Sequence, residues 1–200
     1  FEFVFVGEPW TRSLVDVLEP LARSGEPIRI LDVGQSVGEA ALLDAAAAVC
    51  TSPIVVTLPA YPRVVPGALE ELVEIVEHGG VDLASAVRLS QGASVVNLIQ
   101  NRLFHGILGR MGSGGFRDVA SGVRAMRRSI IGELPLYGDL FRFLPALARH
   151  EGFTVIEHEV TQHPEDRRAR VYAPGIYLRR LIDLLGLFFI LRFTQKPLRF

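Results

Sequence analysis

The sequence is poor in the residues that build covalent or metal cross-links. Cys50 is the only cysteine among 200 residues, which excludes an intrachain disulfide and a zinc site made of clustered cysteines. The five histidines show no H-E-x-x-H spacing, so a metal centre of that kind is excluded as well. Long apolar runs are also missing. The nearest candidate, Leu184–Leu191, is much shorter than the roughly 20 residues that a membrane-spanning helix needs.

An excess of one charge is missing overall, because 21 Lys/Arg nearly balance 22 Asp/Glu. The two signs are nevertheless separated along the chain. Thr161–Phe200 holds eight Lys/Arg against three Asp/Glu, so the preceding residues are net acidic. A basic end on an acidic body favours a membrane surface as a partner of that end, and we expect no nucleic-acid partner. Apolar residues make up 49% of the chain, enough for a full-sized core.

The first 88 residues alternate between strand-like and helix-like patterns. Strands are predicted where β-branched and aromatic residues dominate, and helices where apolar residues recur at helical spacing. The predicted strands are Phe1–Val6, Ile28–Val33, Pro53–Leu58 and Val81–Arg88, and the predicted helices are Ser13–Ala22, Glu39–Val49 and Gly67–His78. Pro53–Leu58 is apolar enough to be buried on both faces, as in a parallel sheet. The alternation predicts an α/β domain with a doubly wound, mostly parallel sheet and helices on both faces. In such sheets ligands bind beyond the strands' carboxyl ends, here in the loops Gly7–Thr11 and Pro59–Pro66.

The alternation ends after Arg88. The further predictions are a helix over Ser94–Leu108, a Gly-rich loop over Gly109–Gly115, a loop-to-helix segment over Asp118–Arg128, a helix over Leu140–His150, a strand over Thr154–Thr161 and a helix over Ile176–Phe193. The last helix has basic ends and an apolar centre, so it fits either a membrane interface or the protein core. We expect two parts: a body over residues 1–161 and a basic, membrane-proximal segment over residues 162–200.

Four short motifs occur in a fixed order in the second half of the chain. They are Asp118-Val119-Ala120-Ser121-Gly122-Val123-Arg124, Gly138-Asp139-Leu140-Phe141-Arg142-Phe143-Leu144-Pro145, Gly152-Phe153 with a later His163-Pro164, and Leu191-Arg192-Phe193 before Lys196-Pro197. Together they resemble family 2 glycosyltransferases, specifically the dolichyl- and undecaprenyl-phosphate sugar transferases. The resemblance covers nearly the whole chain. It implies a GT-A-type fold, and its first strand, which carries a nucleotide-binding turn, is expected to precede Phe1.

The resemblance fails at the position where such enzymes hold a divalent metal. The family has an Asp-x-Asp pair after a strand, and two carboxylates so spaced can hold one Mg²⁺ or Mn²⁺ against the donor diphosphate. This sequence has Pro59-Ala60-Tyr61 there, and Arg63 in place of a following Gln. We therefore predict no metal ligands. Arg63 is either a fixed cation that replaces the metal or an ordinary loop residue.

The family motifs also assign roles to particular residues. Catalytic roles fall to Asp118 and Arg124, and donor-binding roles to Glu8, Arg63 and Gly38. Acceptor-binding roles fall to Arg142, Arg167, Arg168, Arg170 and Tyr172. Most of these residues have a plainer alternative: Asp118 as a loop residue that binds backbone amides, Arg124 as a surface residue of a helix, Glu8 as an ordinary loop acid, Gly38 as a simple turn and the Arg-rich loop as solvated charge.

The resemblance implies transfer of a hexose from a nucleotide sugar to a polyprenyl phosphate at the cytoplasmic face of a membrane. The protein would be held there peripherally or by helices after Phe200, and a homo-oligomer is compatible with the family. The loss of both metal-binding carboxylates keeps a second hypothesis open. On that hypothesis, the protein is a catalytically inactive pseudoenzyme that binds, regulates or scaffolds components of a cell-envelope glycan pathway.

Overall fold

The computed structural model describes most of the first 167 residues. The described ranges are 1–8, 12–35, 37–89, 116–118, 121–134 and 138–167. The predictions over Ser94–Leu108, Gly109–Gly115 and Ile176–Phe193 lie outside them. No helix within these ranges is long and apolar enough to cross a membrane.

Strands and helices alternate through the first half of the described chain, as predicted. The strands are β1 (Phe3–Gly7), β2 (Ile28–Asp32), β3 (Ile54–Thr57), β4 (Leu83–Leu89), β5 (Arg124–Arg127) and β6 (Val155–Thr161). The helices are α1 (Arg12–Arg23), α2 (Glu39–Val49), α3 (Gly67–His78), α4 (Ser129–Glu133) and α5 (Leu144–His150), with 3₁₀ helices at Gly138–Phe143 and Pro164–Arg167. The predicted bounds of Glu39–Val49 and Gly67–His78 are met at both ends. The amide of Cys50 donates to the Ala46 carbonyl and the amide of Gly79 to the Ile75 carbonyl, and these bonds close the last turns of the two helices.

The strands form two groups. β1 and β2 pair in parallel, and the second sheet has the order β3-β5-β4-β6. β4 and β6 are parallel, whereas β5 runs antiparallel to both β3 and β4. The α/β architecture is therefore confirmed, with one reversed strand in an otherwise parallel arrangement.

Two predictions about this sheet are wrong. The predicted loop-to-helix segment Asp118–Arg128 contains β5, because its apolar residues pair with β3 and β4 and are buried there. β3 was expected to be buried on both faces of a parallel sheet. Its residues Ile54–Val56 are only half-buried, and its partner among the described residues is the antiparallel β5.

Helices cover both faces of the four-stranded sheet. On one face the cross-strand neighbours Leu83, Met126 and Val155 pack in a cluster with residues of α2, α4 and α5. On the other face Ala84 and Ala125 pack against α3, with Leu72 and Val76 fully buried. Burying one such side chain contributes about 1.5–3 kcal/mol, so the two clusters hold the strands of this sheet in fixed relative positions.

Candidate functional site

The carboxyl ends of β3, β4 and β6 lie at one edge of the sheet. All three strands run in the same direction, because β3 and β4 are both antiparallel to β5 and β6 is parallel to β4. The loop after β3 is joined to the chain after β6. Val64 forms a bridge with Gln162, and the amide of His163 donates to the Arg63 carbonyl at 2.9 Å. This edge is where an α/β sheet is expected to bind a ligand.

Arg88, near the carboxyl end of β4, links two carboxylates at this edge. Its Nε and Nη2 donate to the two oxygens of Asp118 at 2.7 and 2.9 Å. Its Nη1 donates to Oδ2 of Asp166 at 2.8 Å, and the same oxygen accepts from Nε2 of Gln162 at 2.8 Å. The side chains of Arg88, Asp118 and Asp166 are only 17%, 14% and 8% exposed. We call Arg88, Asp118, Gln162 and Asp166 the polar cluster.

The polar cluster stabilises the charged forms of Arg88 and Asp166. Burial alone would lower the pKa of Arg88, but the hydrogen bonds and charges of Asp118 and Asp166 outweigh it and raise that pKa. Burial alone would raise the pKa of Asp166, but hydrogen bonds from Gln162 and Arg88 hold it below its ordinary value. Arg88 is therefore a cation and Asp166 an anion at neutral pH.

Asp118 is also held through its main chain. Its amide donates to Oε1 of Glu157 at 3.2 Å, and the amide of Arg117 donates to the same oxygen at 2.7 Å. The amide of Arg88 adds a third donor to Asp118, at 3.2 Å from Oδ2. Asp118 is thus a fixed carboxylate at the carboxyl edge. Its plainer interpretation, as a loop residue that binds backbone amides, describes its contact with the Arg88 amide.

Arg63 lies in the loop after β3, close enough to the polar cluster to be affected by the charges of Arg88, Asp118 and Asp166. Its guanidinium carbon lies 4.6 Å from the centroid of the Tyr61 ring, and its Nη2 donates to the Tyr61 hydroxyl. Burial lowers the pKa of Arg63, and the nearby Arg88 lowers it further, while Tyr61, Asp166 and Asp118 act in the opposite direction. The sequence pattern could not show that the Arg63 guanidinium stacks on the ring of Tyr61.

The chemistry of this loop does not fit a divalent metal. Pro59 has no ligating side chain, and the Tyr61 hydroxyl accepts a hydrogen bond from Arg63. Mg²⁺ and Mn²⁺ favour carboxylate oxygens. Within the described parts of the chain, no three His, Cys, Asp or Glu residues are grouped so that they could hold a metal ion.

Two of the predicted donor-binding residues meet at the other sheet. Glu8 follows β1 and is buried, and its Oε1 accepts from the amide of Val37 at 3.0 Å. The next residue, Gly38, has φ 85°, a left-handed conformation that favours glycine. Gly38 is the N-cap residue immediately before α2, so Glu8 fixes the turn that leads into this helix.

Arg124 lies in a different place from the one that its plainer interpretation gave it. It lies on β5 and is 1% exposed, so the alternative of a surface arginine on a helix is wrong. Its Nη1 and Nη2 donate to the carbonyls of Phe141 and Arg142 at 3.0 and 2.8 Å. Burial lowers the pKa of Arg124 to about 10. Arg124 therefore anchors the 3₁₀ helix Gly138–Phe143 to the sheet, and its assigned catalytic role stays a prediction.

The predicted acceptor-binding residues are only partly described. Arg142 is half-buried near the end of the 3₁₀ helix that Arg124 anchors. Arg167 ends the 3₁₀ helix Pro164–Arg167, which begins two residues before Asp166 of the polar cluster. Arg168, Arg170 and Tyr172 lie outside the described residues.

Arg88, Gln162 and Asp166 were missed in the sequence. The available sign for Arg88 was a charged residue at the end of the predicted strand Val81–Arg88, since a charge that becomes buried is retained only when it is paired. Asp166 lies in a segment that the composition describes only as a charged loop. Its contact with Arg88 spans 78 residues, and no local pattern predicts such a contact.

A second concave surface lies between α3 and β6. It has a volume of about 460 Å³ and is lined by Glu71, Glu74, Ile75, His78, Gly79 and His158. None of the predicted site residues that the structure describes lines it, so the carboxyl edge remains the candidate site.

Comparison with known sequences gives a consistent result. The pattern of glycosyl transferase family 2 matches residues 1–134. The chain is 22% identical over 201 residues to dodecaprenyl-phosphate galacturonate synthase of Rhizobium johnstonii, covering 98% of this chain and 60% of that protein. It is 25% identical to undecaprenyl-phosphate 4-deoxy-4-formamido-L-arabinose transferase of Pseudomonas syringae pv. syringae, covering 100% of this chain and 58% of that protein. The chain thus spans about three fifths of the length of these relatives.

Comparison with solved structures supports the fold. A crystal structure of glucosyl-3-phosphoglycerate synthase from Mycobacterium tuberculosis, in complex with Mn²⁺, UDP-glucose and glycerol 3-phosphate, aligns with a TM-score of 0.57. The alignment covers 92% of this chain and 79% of that one at 16% identity. This likeness establishes the GT-A-type fold. Since the family pattern also extends over about two thirds of the residues, the chain belongs to glycosyl transferase family 2.

Proposed function

We propose that this protein transfers a sugar, a hexose by its family resemblance, from a nucleotide-diphospho-sugar to a polyprenyl phosphate. The observation that carries the proposal is the fixed carboxylate of Asp118, clamped by Arg88 at the carboxyl edge of the sheet. The two curated relatives support the acceptor, because their names specify a dodecaprenyl or undecaprenyl phosphate. The solved neighbour that contains UDP-glucose supports the donor class.

In the proposed reaction an oxygen of the acceptor phosphate attacks the anomeric carbon of the donor sugar. A carbon–oxygen bond forms with inversion, and the bond to the nucleoside diphosphate breaks with its electron pair on the leaving diphosphate. The phosphate oxygen is already ionised at neutral pH, so the step needs little general-base assistance. Asp118 therefore acts mainly by position, which agrees with its carboxylate being held by Arg88 on both oxygens.

The remaining roles are part of the same proposal and come from the sequence motifs. Glu8 and Gly38, joined through the Val37 amide, form the donor-binding turn of the first sheet. Arg142 and the basic residues from Arg167 to Arg170, with Tyr172, receive the anionic acceptor. Their positive charges favour phosphate, and the basic end of the chain favours an anionic membrane surface. The reaction would take place at the cytoplasmic face of a membrane, and assembly into a homo-oligomer belongs to the same proposal.

The test is a transfer assay on the full-length protein in detergent with undecaprenyl phosphate. A panel of radiolabelled UDP- and GDP-sugars is supplied, and label is counted in the lipid phase. We expect lipid-linked label with at least one donor and none when the polyprenyl phosphate is omitted. Failure with every donor, under conditions where a known family 2 enzyme transfers sugar, would favour the binding pseudoenzyme instead. The transferase activities named for the relatives favour turnover.

A further inference from the structure

The loop after β3 holds a fixed cation where the sequence resemblance leads one to expect metal-binding carboxylates. Pro59 and Tyr61 stand at the two expected Asp positions, and Arg63 follows. The solved neighbour binds Mn²⁺ together with UDP-glucose. A nucleotide diphosphate needs positive charge nearby, because its leaving group gains negative charge as the sugar departs. The disagreement is therefore between a site that needs a cation and a loop that cannot hold a metal.

The Arg63 side chain is positioned before any ligand arrives. Its guanidinium stacks on Tyr61 and donates to the hydroxyl of that ring, and its main-chain carbonyl accepts from His163. The bridge between Val64 and Gln162 holds the next residue of the loop to the end of β6. A planar guanidinium held in this way loses little conformational freedom on binding an anion, and it matches the spacing of phosphate oxygens.

The distribution of charge around the loop is also specific. Arg88 forms ion pairs with two carboxylates, those of Asp118 and Asp166. Its positive charge is therefore already neutralised within the polar cluster. Burial and the nearby Arg88 lower the pKa of Arg63. An anionic ligand beside Arg63 would counter both effects, and arginine remains protonated at neutral pH.

We propose that the guanidinium of Arg63 takes the place of the divalent cation, so that the donor's diphosphate binds to this protein without metal. Tyr61 is the positioning residue that holds the guanidinium toward the carboxyl edge. This inference rests on the proposed function for the identity of the ligand. It goes beyond that function in assigning the charge that stabilises the leaving diphosphate to a side chain of this loop.

The test is isothermal titration of the full-length protein with UDP and with GDP, in EDTA and in Mn²⁺. We expect at least one nucleotide to bind in EDTA, with an affinity within about threefold of that in Mn²⁺. Arg63→Ala should weaken this binding about tenfold or more, as loss of a charged hydrogen-bond donor does. Arg63→Lys should recover part of the affinity, because it restores the charge without the planar fork.

Arg23→Ala is the matched control, because Arg23 is an exposed arginine paired with Glu19 on α1 and outside the loop. It should bind like the wild type, and thermal melting should show that each variant remains folded. Binding that needs Mn²⁺, or binding in EDTA that survives Arg63→Ala, would overturn the inference and leave the proposed function standing. If neither UDP nor GDP binds, in EDTA or in Mn²⁺, the inference and the proposed function are overturned together.

Discussion

Arg88 and Asp118 form a two-pronged ion pair that joins the end of β4 to a residue 30 positions later in the chain. The pair is mostly shielded from solvent, and the remaining guanidinium nitrogen of Arg88 reaches Asp166. A carboxylate held in this way has one orientation. The geometry explains how a candidate catalytic group is fixed at the carboxyl edge before substrate binds.

Removal of Arg88 should be strongly destabilising. Arg88→Met leaves Asp118 and Asp166 as shielded carboxylates without their shared cation, and we expect the free energy of unfolding to fall by about 2–3 kcal/mol. Urea denaturation at neutral pH measures this loss. The triple variant that adds Asp118→Asn and Asp166→Asn should recover much of it, because no uncompensated charge remains.

The matched control for this prediction is Arg23→Met, which removes an exposed ion pair with Glu19. Its cost should stay below about 1 kcal/mol. An Arg88→Met variant no less stable than Arg23→Met would show that the polar cluster does not contribute to the fold.

Stability should depend on pH through Asp166. Its folded-state pKa lies below the ordinary value of 3.8, so its ionised form stabilises the fold above that value. The contribution is lost as pH falls through the lowered pKa. Asp166→Asn should therefore melt well below the wild type at about pH 6, and the difference should shrink toward about pH 3. A difference in melting temperature that does not change with pH would contradict the ionic role of Asp166.

Replacement of Arg124 should lower the stability of the fold. Arg124→Met removes the donors to the carbonyls of Phe141 and Arg142, and we expect a loss of about 3 kcal/mol with faster hydrogen exchange in the 3₁₀ helix Gly138–Phe143. Arg128→Met is the control, because the exposed Arg128 donates to one carbonyl, that of Cys50. Its cost should be below about 1 kcal/mol. Equal costs for the two variants would refute the anchoring role.

Gly38 should not tolerate a side chain. Its φ of 85° lies in the left-handed region, so Gly38→Ala should cost about 1 kcal/mol and loosen the turn that Glu8 holds. Gly67→Ala is the comparison at the start of α3, where an added Cβ meets no heavy atom within 4 Å. It should be neutral or slightly stabilising, because alanine favours the helix. Thermal melting of both variants measures the two changes in stability, and equal changes would contradict the special role of Gly38.

The sequence predicted the elements whose patterns are local. The alanine-rich sequence of Glu39–Val49 and the acidic face of Gly67–His78 indicated those helices, and the structure confirms them. β5 was missed because its four residues, Arg124–Arg127, carry an arginine at each end and resemble a polar turn. Pairing with β3 and β4 overrides that local preference, since burial between two strands decides the conformation of so short a segment.

The site was predictable only in part, for a related reason. Motif resemblance led to Asp118 and Arg63, and both lie in the neighbourhood of the carboxyl edge. It could not lead to Asp166, whose role comes from a contact with Arg88 across 78 residues. It also could not show that Arg124 is buried, because burial depends on how the 3₁₀ helix Gly138–Phe143 packs.

The most direct measurement is formation of lipid-linked sugar by the full-length protein with Asp118→Asn and, beside it, Asp82→Asn. Asp82 precedes the opposite end of β4 and pairs with the exposed Arg127, so it controls for loss of a carboxylate away from the site. The account predicts transfer to the polyprenyl phosphate by the wild type and by Asp82→Asn. It predicts a loss of about 100-fold or more in kcat for a folded Asp118→Asn variant. Wild-type rates in the Asp118→Asn variant, or no transfer by the wild type with any donor, would contradict the account.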